Sequence, residues 1–152
     1  MSRRTVVHDT IVIERRFAVT PARVFAAWAD PVARDRWDVP GDDWVVCESE
    51  HDFRVGGREY CRFGPQGDAR LCGEGRYVDI VSGRRIVMAG TMSDGGTVIS
   101  VSIGTVEILP DGAGTLMIYT EQVAFLDGRD TSAQRTKGWR QILDRLEVEL
   151  KG

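Results

Sequence analysis

Apolar and polar residues alternate along most of the chain, and this period of two is typical of β-strands. Residues 6–19 are rich in β-branched side chains and predict a first strand. Short glycine-containing segments separate the later strands, so consecutive strands are expected to pair as antiparallel hairpins. Six of these later strands are predicted, over residues 43–55, 58–63, 70–81, 85–92, 97–109 and 115–125.

Two short helices are predicted between the first and second strands. Thr20-Pro21 and Asp30-Pro31 each place an N-cap residue before a proline, which suits the first helical position. The second of these helices is expected to end near Trp37.

The most regular element is an amphipathic helix over residues 131–150. Thr131 and Gln134 have capping-box spacing, in which the threonine oxygen accepts a backbone hydrogen bond and the glutamine side chain returns to the threonine N–H. An apolar stripe follows at intervals of three or four residues: Trp139, Ile142, Leu143, Leu146 and Leu150. This stripe needs a partner surface, which the inner face of a bent sheet can supply.

The patterns of two strands bear on which side chains face inward. In residues 43–55 the alternation places Cys47, Phe53 and Val55 on one face, and His51 would share it as a polar group of a pocket. In residues 97–109 the apolar parity changes at Gly104, which predicts a β-bulge there. A strand that is apolar on both faces is the alternative.

Together these elements predict a single α+β domain over residues 5–151, with a curved antiparallel sheet around the long helix. A bent sheet does not close tightly on a helix, so a cavity between them is the expected site for a small molecule.

Composition and charge narrow the function. The chain has 152 residues, 42% of them hydrophobic, and a net charge of −3 with both signs mixed, which argues against a nucleic-acid partner. No apolar run is long enough for a membrane span, and no secretory signal is present. Cys47, Cys61 and Cys72 have no metal-ligand spacing and are expected as free thiols in a reducing cytoplasm. Neither a metal nor another cofactor is predicted.

Four segments in order resemble the family named after the activator of the heat-shock-protein-90 ATPase. They read PARVFAAW followed by Asp30-Pro31 and Arg36-Trp37, then FRVGGR, GRYVDI and GWRQILDRL. The resemblance covers about residues 11–150. It implies the helix-grip fold of the START-like (SRPBCC) superfamily, with about six to seven strands and a deep hydrophobic cavity.

Two positions depart from the pattern of that family. Glu59 and Cys61 stand where relatives usually have apolar or aromatic residues, so an inward Glu59 would place a carboxylate in the cavity. Trp37-Asp38 stands where many relatives have paired tryptophans, which would make the entrance more polar. Tyr60, Tyr77, Tyr119 and Glu121 are further candidates for isolated polar groups. The resemblance and the periodicity together place eight residues around a ligand: Trp37, Phe53, Glu59, Cys61, Phe63, Tyr77, Trp139 and Leu143.

Three functions remain open at this point. The first is the binding of a small hydrophobic or aromatic molecule, such as a lipid or polyketide, without a catalytic centre. The second is a cyclase or hydrolase that uses Glu59 or His51 as an acid–base group, since burial in an apolar cavity shifts the pKa of such groups. The third is a contact with a chaperone, although this chain is too short to carry the extra N-terminal domain of the eukaryotic namesake. Exposed edge strands also allow a homodimer.

Overall fold

The computed structural model describes residues 4–152, and these fold into seven strands and three helices. In chain order the elements are β1 (Val6–Phe17), α1 (Pro21–Ala29), α2 (Pro31–Trp37), β2 (Trp44–His51), β3 (Arg58–Pro65), β4 (Leu71–Val81), β5 (Arg85–Asp94), β6 (Thr97–Asp111), β7 (Gly114–Leu126) and α3 (Ser132–Lys151).

The seven strands form one antiparallel sheet in the order β1-β7-β6-β5-β4-β3-β2. Strands β2 to β7 are a meander of hairpins, and β1 pairs with β7 as an edge strand of the sheet. The predicted α+β helix-grip architecture is therefore confirmed. Within residues 4–152, no helix is both long and apolar enough to span a membrane.

Helices α1 and α2 begin where the sequence predicted. The Thr20 side chain accepts from the Arg23 N–H at 3.3 Å, and Asp30 accepts from the Val32 N–H at 3.0 Å. Their tryptophans then pack together, because Trp28 and Trp37 are buried with ring centroids 4.8 Å apart in an edge-to-face arrangement. This contact holds the two short helices as one unit.

Helix α3 buries the predicted stripe. Leu143, Leu146 and Leu150 are fully buried in the core, while Trp139 and Ile142 are partly buried against it. Only half of the predicted capping box forms. Thr131 accepts from the Gln134 N–H at 3.2 Å, but its own N–H donates to Asp130 at 2.8 Å.

The prediction for residues 43–55 was wrong in length and partly wrong in facing. Strand β2 ends at His51, and a register shift between Val46 and Glu48 leaves Cys47 as an exposed bulge residue. The six residues that follow form a connection whose backbone bonds to β4 at Tyr77. Val55 is 58% exposed in that connection, whereas Phe53 packs against the core and His51 lies inward, so the predicted face forms only in part.

The predicted bulge in β6 exists but lies elsewhere. Gly104 pairs regularly with Met88 on one side and Glu121 on the other. The register shift falls at Ile99, between Ser100 and Val98, so the residues with even numbers from Ser100 onward face inward. The sequence misled because Val101 and Ile103 are apolar yet each is 46% exposed on the outer face.

We expect Gly75→Ala to destabilise the fold by about 2–3 kcal/mol, the cost of overpacking a close contact. Gly75 and Gly90 pair across β4 and β5, and a Cβ on Gly75 would overlap the Ala89 carbonyl oxygen. Gly73→Ala is the matched control in the same strand, because its Cβ would meet only Met92 Cε at 3.8 Å. Urea unfolding of both variants tests this, and equal loss of stability would contradict it.

Candidate functional site

A cavity of about 380 Å³ separates the inner face of the sheet from α3. Helix α3 contributes Trp139 and Ile142 to its wall, and the sheet contributes Phe63, Met88 and Met92. The size lies within the range of small-molecule pockets. Methionine side chains adapt to differently shaped neighbours, so this part of the wall is deformable.

Small residues on the inner face keep this space open. Gly73, Gly75, Gly90 and Gly104 all border the cavity. Gly104 also makes room for an aromatic neighbour, because a Cβ there would stand 3.1 Å from the Tyr119 hydroxyl oxygen. The glycine at the change of parity therefore admits Tyr119 rather than forming a bulge.

A buried arginine from α2 organises one part of the wall. Arg34 is only 2% exposed. Its Nη2 donates to Asp38 Oδ2 at 2.7 Å and to Glu59 Oε1 at 2.5 Å, and its Nε donates to Asp38 at 3.0 Å. Its Nη1 lies 3.3 Å from both the Trp28 carbonyl oxygen and the Tyr77 hydroxyl. All five N–H donors of a guanidinium are occupied by these acceptors.

Aromatic rings cover the same guanidinium. Arg34 Cζ lies 5.2 Å from the centroid of Trp28 and 5.5 Å from that of Trp37. At these distances the rings attract the guanidinium by cation–π interaction, which is strongest where water is excluded. Burial alone would lower the pKa of Arg34, but the neighbouring carboxylates of Asp38 and Glu59 outweigh it and raise that pKa. Arg34 is therefore a permanent positive charge.

His51 lies beside this cluster and lines the cavity. Its side chain is 4% exposed, and its Nε2 is 3.5 Å from Asp35 Oδ1. Within residues 4–152, its Nδ1 has no hydrogen-bond partner. Burial lowers the pKa of the imidazole, and the positive charge of Arg34 lowers it further. His51 is thus a neutral imidazole at pH 7.

A second arginine, the partly buried Arg135 at the start of α3, forms a similar cluster. Its Nη1 donates to Glu121 Oε2 at 2.9 Å and its Nη2 to Ser100 Oγ at 2.6 Å. Its Nε donates to Asp130 Oδ2 at 3.0 Å, and Nη2 also lies 3.0 Å from that oxygen. Glu121 is 4% exposed, and its Oε1 is buried without a hydrogen-bond partner among residues 4–152.

Stacked aromatic rings connect the two clusters. Trp139 stacks on Trp28 at 6.4 Å and lies 4.2 Å from Tyr119, measured between ring centroids. Burial and the nearby Glu121 raise the pKa of the Tyr119 phenol, so it stays protonated. Burial likewise raises the pKa of the Cys61 thiol to about 12. Cys61 is therefore a neutral thiol and a poor nucleophile at pH 7.

The structure separates the eight residues predicted around a ligand into two groups. Glu59, Cys61, Phe63 and Trp139 border the cavity. The other four belong to the core behind it: Trp37, Tyr77 and Leu143 are fully buried, and Phe53 packs on Phe25 and Tyr77 with centroids 5.6 and 5.0 Å away. A direct ligand contact for any of the eight stays a prediction.

The other candidates also divide. Tyr119 and Glu121 line the cavity. Tyr60 does not, and its ring centroid lies 4.4 Å from Arg58 Cζ. Sequence reasoning missed Arg34 and Arg135, which organise the two clusters. A signal for Arg34 was present, since it occupies an inward position of α2 beside the buried Ala33 and Trp37. No cluster of three or more metal-ligating side chains occurs in the described part of the chain.

The family model described as "Activator of Hsp90 ATPase homolog 1-like protein" matches residues 18–151. An uncharacterized protein from Rhizobium leguminosarum is 38% identical, with a TM-score of 0.91 and 99% of each chain covered. The Mll3558 protein from Rhizobium loti is 42% identical, with a TM-score of 0.86, over 95% of this chain and 99% of that one. An AHSA1-like protein from Aeromonas hydrophila is 26% identical, with a TM-score of 0.73, over 94% and 92%. No curated protein matches the chain.

We expect His51→Gln to reduce the loss of stability between pH 7 and pH 5. Because burial lowers the pKa of folded His51, the unfolded chain binds more protons as pH falls below the ordinary histidine pKa of about 6.5. This contribution to stability is complete above that pH and is lost below it, with a slope of at most about 1.4 kcal/mol per pH unit. The free energy of unfolding, measured in urea across this range, tests the expectation.

The matched control for this prediction is His8→Gln, because His8 is exposed on β1. Asp38 acts on stability in the opposite direction, because burial raises its pKa, and neither substitution removes that burial. Identical pH slopes for His51→Gln and the unmodified protein would contradict the assignment of His51.

Proposed function

We propose, for a chain that belongs to the family of Activator of Hsp90 ATPase homolog 1-like proteins, that its cavity binds a small and largely apolar molecule. The observation that carries the proposal is the open space of about 380 Å³ between sheet and α3, bordered by Phe63, Met88, Met92, Trp139 and Ile142. A ligand that enters this space removes the apolar side chains of its wall from water, which favours binding.

The arrangement of the polar groups supports binding more than catalysis. Glu59 is held at 2.5 Å by Arg34, and the Cys61 thiol is neutral because burial raises its pKa to about 12. Groups fixed in this way orient a ligand without reacting with it. Trp139 places a large aromatic side chain in the wall, and its position on α3 lets it contact a ligand directly.

A location and an assembly state accompany the proposal. Cys47, Cys61 and Cys72 are free, which suits a reducing compartment, and we expect the protein in the cytoplasm. A homodimer stays a prediction that rests on the edge strands β1 and β2.

Native mass spectrometry of the freshly purified protein, followed by thermal shifts with apolar and aromatic compounds, tests the proposed binding. We expect a bound molecule or a ligand that raises the melting temperature, and Trp139→Ala should weaken its affinity about tenfold or more. Saturation at 100 times Kd corresponds to about 2.7 kcal/mol of added stability.

Val148→Ala is the matched control for this experiment, since Val148 is 70% exposed on the same helix. Affinity should be unchanged in that variant. If no molecule co-purifies and no compound shifts the melting temperature, the binding function is wrong.

His51 favours a second candidate function, general acid–base catalysis on a cavity-bound substrate. A neutral imidazole whose Nε2 lies 3.5 Å from Asp35 and whose Nδ1 has no partner among residues 4–152 resembles an oriented base. If the protein hydrolyses activated esters or lactones, His51→Gln should lower kcat at least 100-fold, whereas His8→Gln should not. Equal rates in both variants would exclude this role of His51.

A further inference from the structure

The charges around the cavity suggest which polar groups a ligand can carry. The acidic residues that border it are Asp38, Glu59, Glu74, Asp94, Glu121 and Asp130, and the basic ones are Arg34, Arg129 and Arg135. Glu74 and Asp94 are also paired with arginines outside this set, at 2.5 Å from Arg58 and Arg70. In each of the two clusters one arginine is shared by two carboxylates. Arg129, which lies 3.6 Å from Asp94, offsets part of this negative charge, and the lining as a whole keeps a small negative excess.

Neither Arg34 nor Arg135 has the two free N–H donors that a bidentate contact with an anion needs. The five donors of Arg34 are all occupied by Asp38, Glu59, Trp28 and Tyr77. Four donors of Arg135 are occupied by Glu121, Asp130 and Ser100. A carboxylate or phosphate that entered would meet these shared carboxylates at short range, where like charges repel strongly because little water screens them.

Glu121 supplies the complementary feature. Its Oε1 is buried and has no donor within residues 4–152, whereas its Oε2 accepts from Arg135 at 2.9 Å. Leaving a buried acceptor without a partner is unfavourable, because the group has lost its hydrogen bonds to water. A ligand with an N–H or O–H at this point would remove that cost. Tyr119 and Trp139 border the cavity nearby and present ring surface to the rest of the ligand.

We infer that the cavity selects an apolar or aromatic molecule whose polar end is a hydrogen-bond donor, a protonated amine or a hydroxyl, bound by Glu121, and that it discriminates against carboxylates. This inference rests on the proposed binding function and names the chemical class of its ligand. Glu121 is the residue that determines specificity, and Arg135 positions its carboxylate.

Three probes that differ only in the polar group test this selectivity by isothermal titration calorimetry. They are 1-naphthylmethylamine, 1-naphthalenemethanol and 1-naphthoic acid. Each has roughly a dozen heavy atoms, which suits a space that would hold on the order of a dozen water molecules. The amine should bind most tightly and the acid at least tenfold more weakly than the amine. The alcohol separates donation from charge and should also bind more tightly than the acid.

Glu121→Gln should reverse this order. The glutamine carbonyl can still accept from Arg135, while its NH2 group replaces the unpaired oxygen with a donor. Affinity for the amine should fall about tenfold and affinity for the acid should rise. Glu107→Gln is the control, because Glu107 is exposed on the neighbouring strand β6, and it should leave all three affinities unchanged.

The outcomes separate this inference from the function on which it rests. If the acid binds as tightly as the amine to the unmodified protein, the inference is wrong while a binding function stands. The same holds if Glu121→Gln weakens amine and acid in equal proportion, because that indicates a general change of the cavity. If none of the three probes binds and native mass spectrometry finds no ligand, the proposed function fails as well.

Discussion

The positive charge of Arg34 is the constraint on which the rest of the site depends. A guanidinium that is 2% exposed is stable only when neighbouring groups replace the water it has lost. Here those groups come from four elements: the Trp28 carbonyl of α1, Asp38 after α2, Glu59 of β3 and Tyr77 of β4. One buried charge therefore fixes the two short helices against the distal half of the sheet. Glu59 supplies, together with Asp38, the counter-charge that this arrangement requires.

In the Arg135 cluster a guanidinium is again paired with carboxylates, on the other side of the rings of Trp28, Tyr119 and Trp139. It joins the start of α3 to β6 through Ser100 and to β7 through Glu121. Trp139 lies one turn further along α3 and stacks against Trp28 and Tyr119. The long helix is thus attached to the sheet by a charge cluster at its start and by leucines along its second half. The cavity lies beside Trp139, where residues of β3, β4 and β5 form the opposite wall.

Sequence patterns predicted the fold well because they report on burial. The strands of the meander have an outer face and an inner face, and the apolar stripe predicted for α3 includes the buried Leu143, Leu146 and Leu150. They failed where local context overrides periodicity. Val101 and Ile103 are apolar on an outer face, so they suggested a bulge at Gly104 instead of at Ile99. Glu121 could be predicted as an inward residue of an apolar strand. Its partner Arg135 could not, because the sequence places it outside the apolar stripe of α3, where a solvent-exposed side chain is expected. Ion clusters between distant elements leave no periodic signal.

The glycines of the cavity wall differ in whether a side chain can replace their hydrogen atom. At Gly75 and Gly90 two backbones approach so closely that any side chain would overlap a neighbouring carbonyl group. Gly73 borders the same space, but a Cβ there meets only the terminal methyl of Met92 at 3.8 Å. A methyl group at Gly73 would therefore narrow the cavity without contacting the backbone of the sheet. Gly73 is thus the position where the shape of the wall can change, while the closely packed pair Gly75 and Gly90 beside it fixes the spacing of β4 and β5.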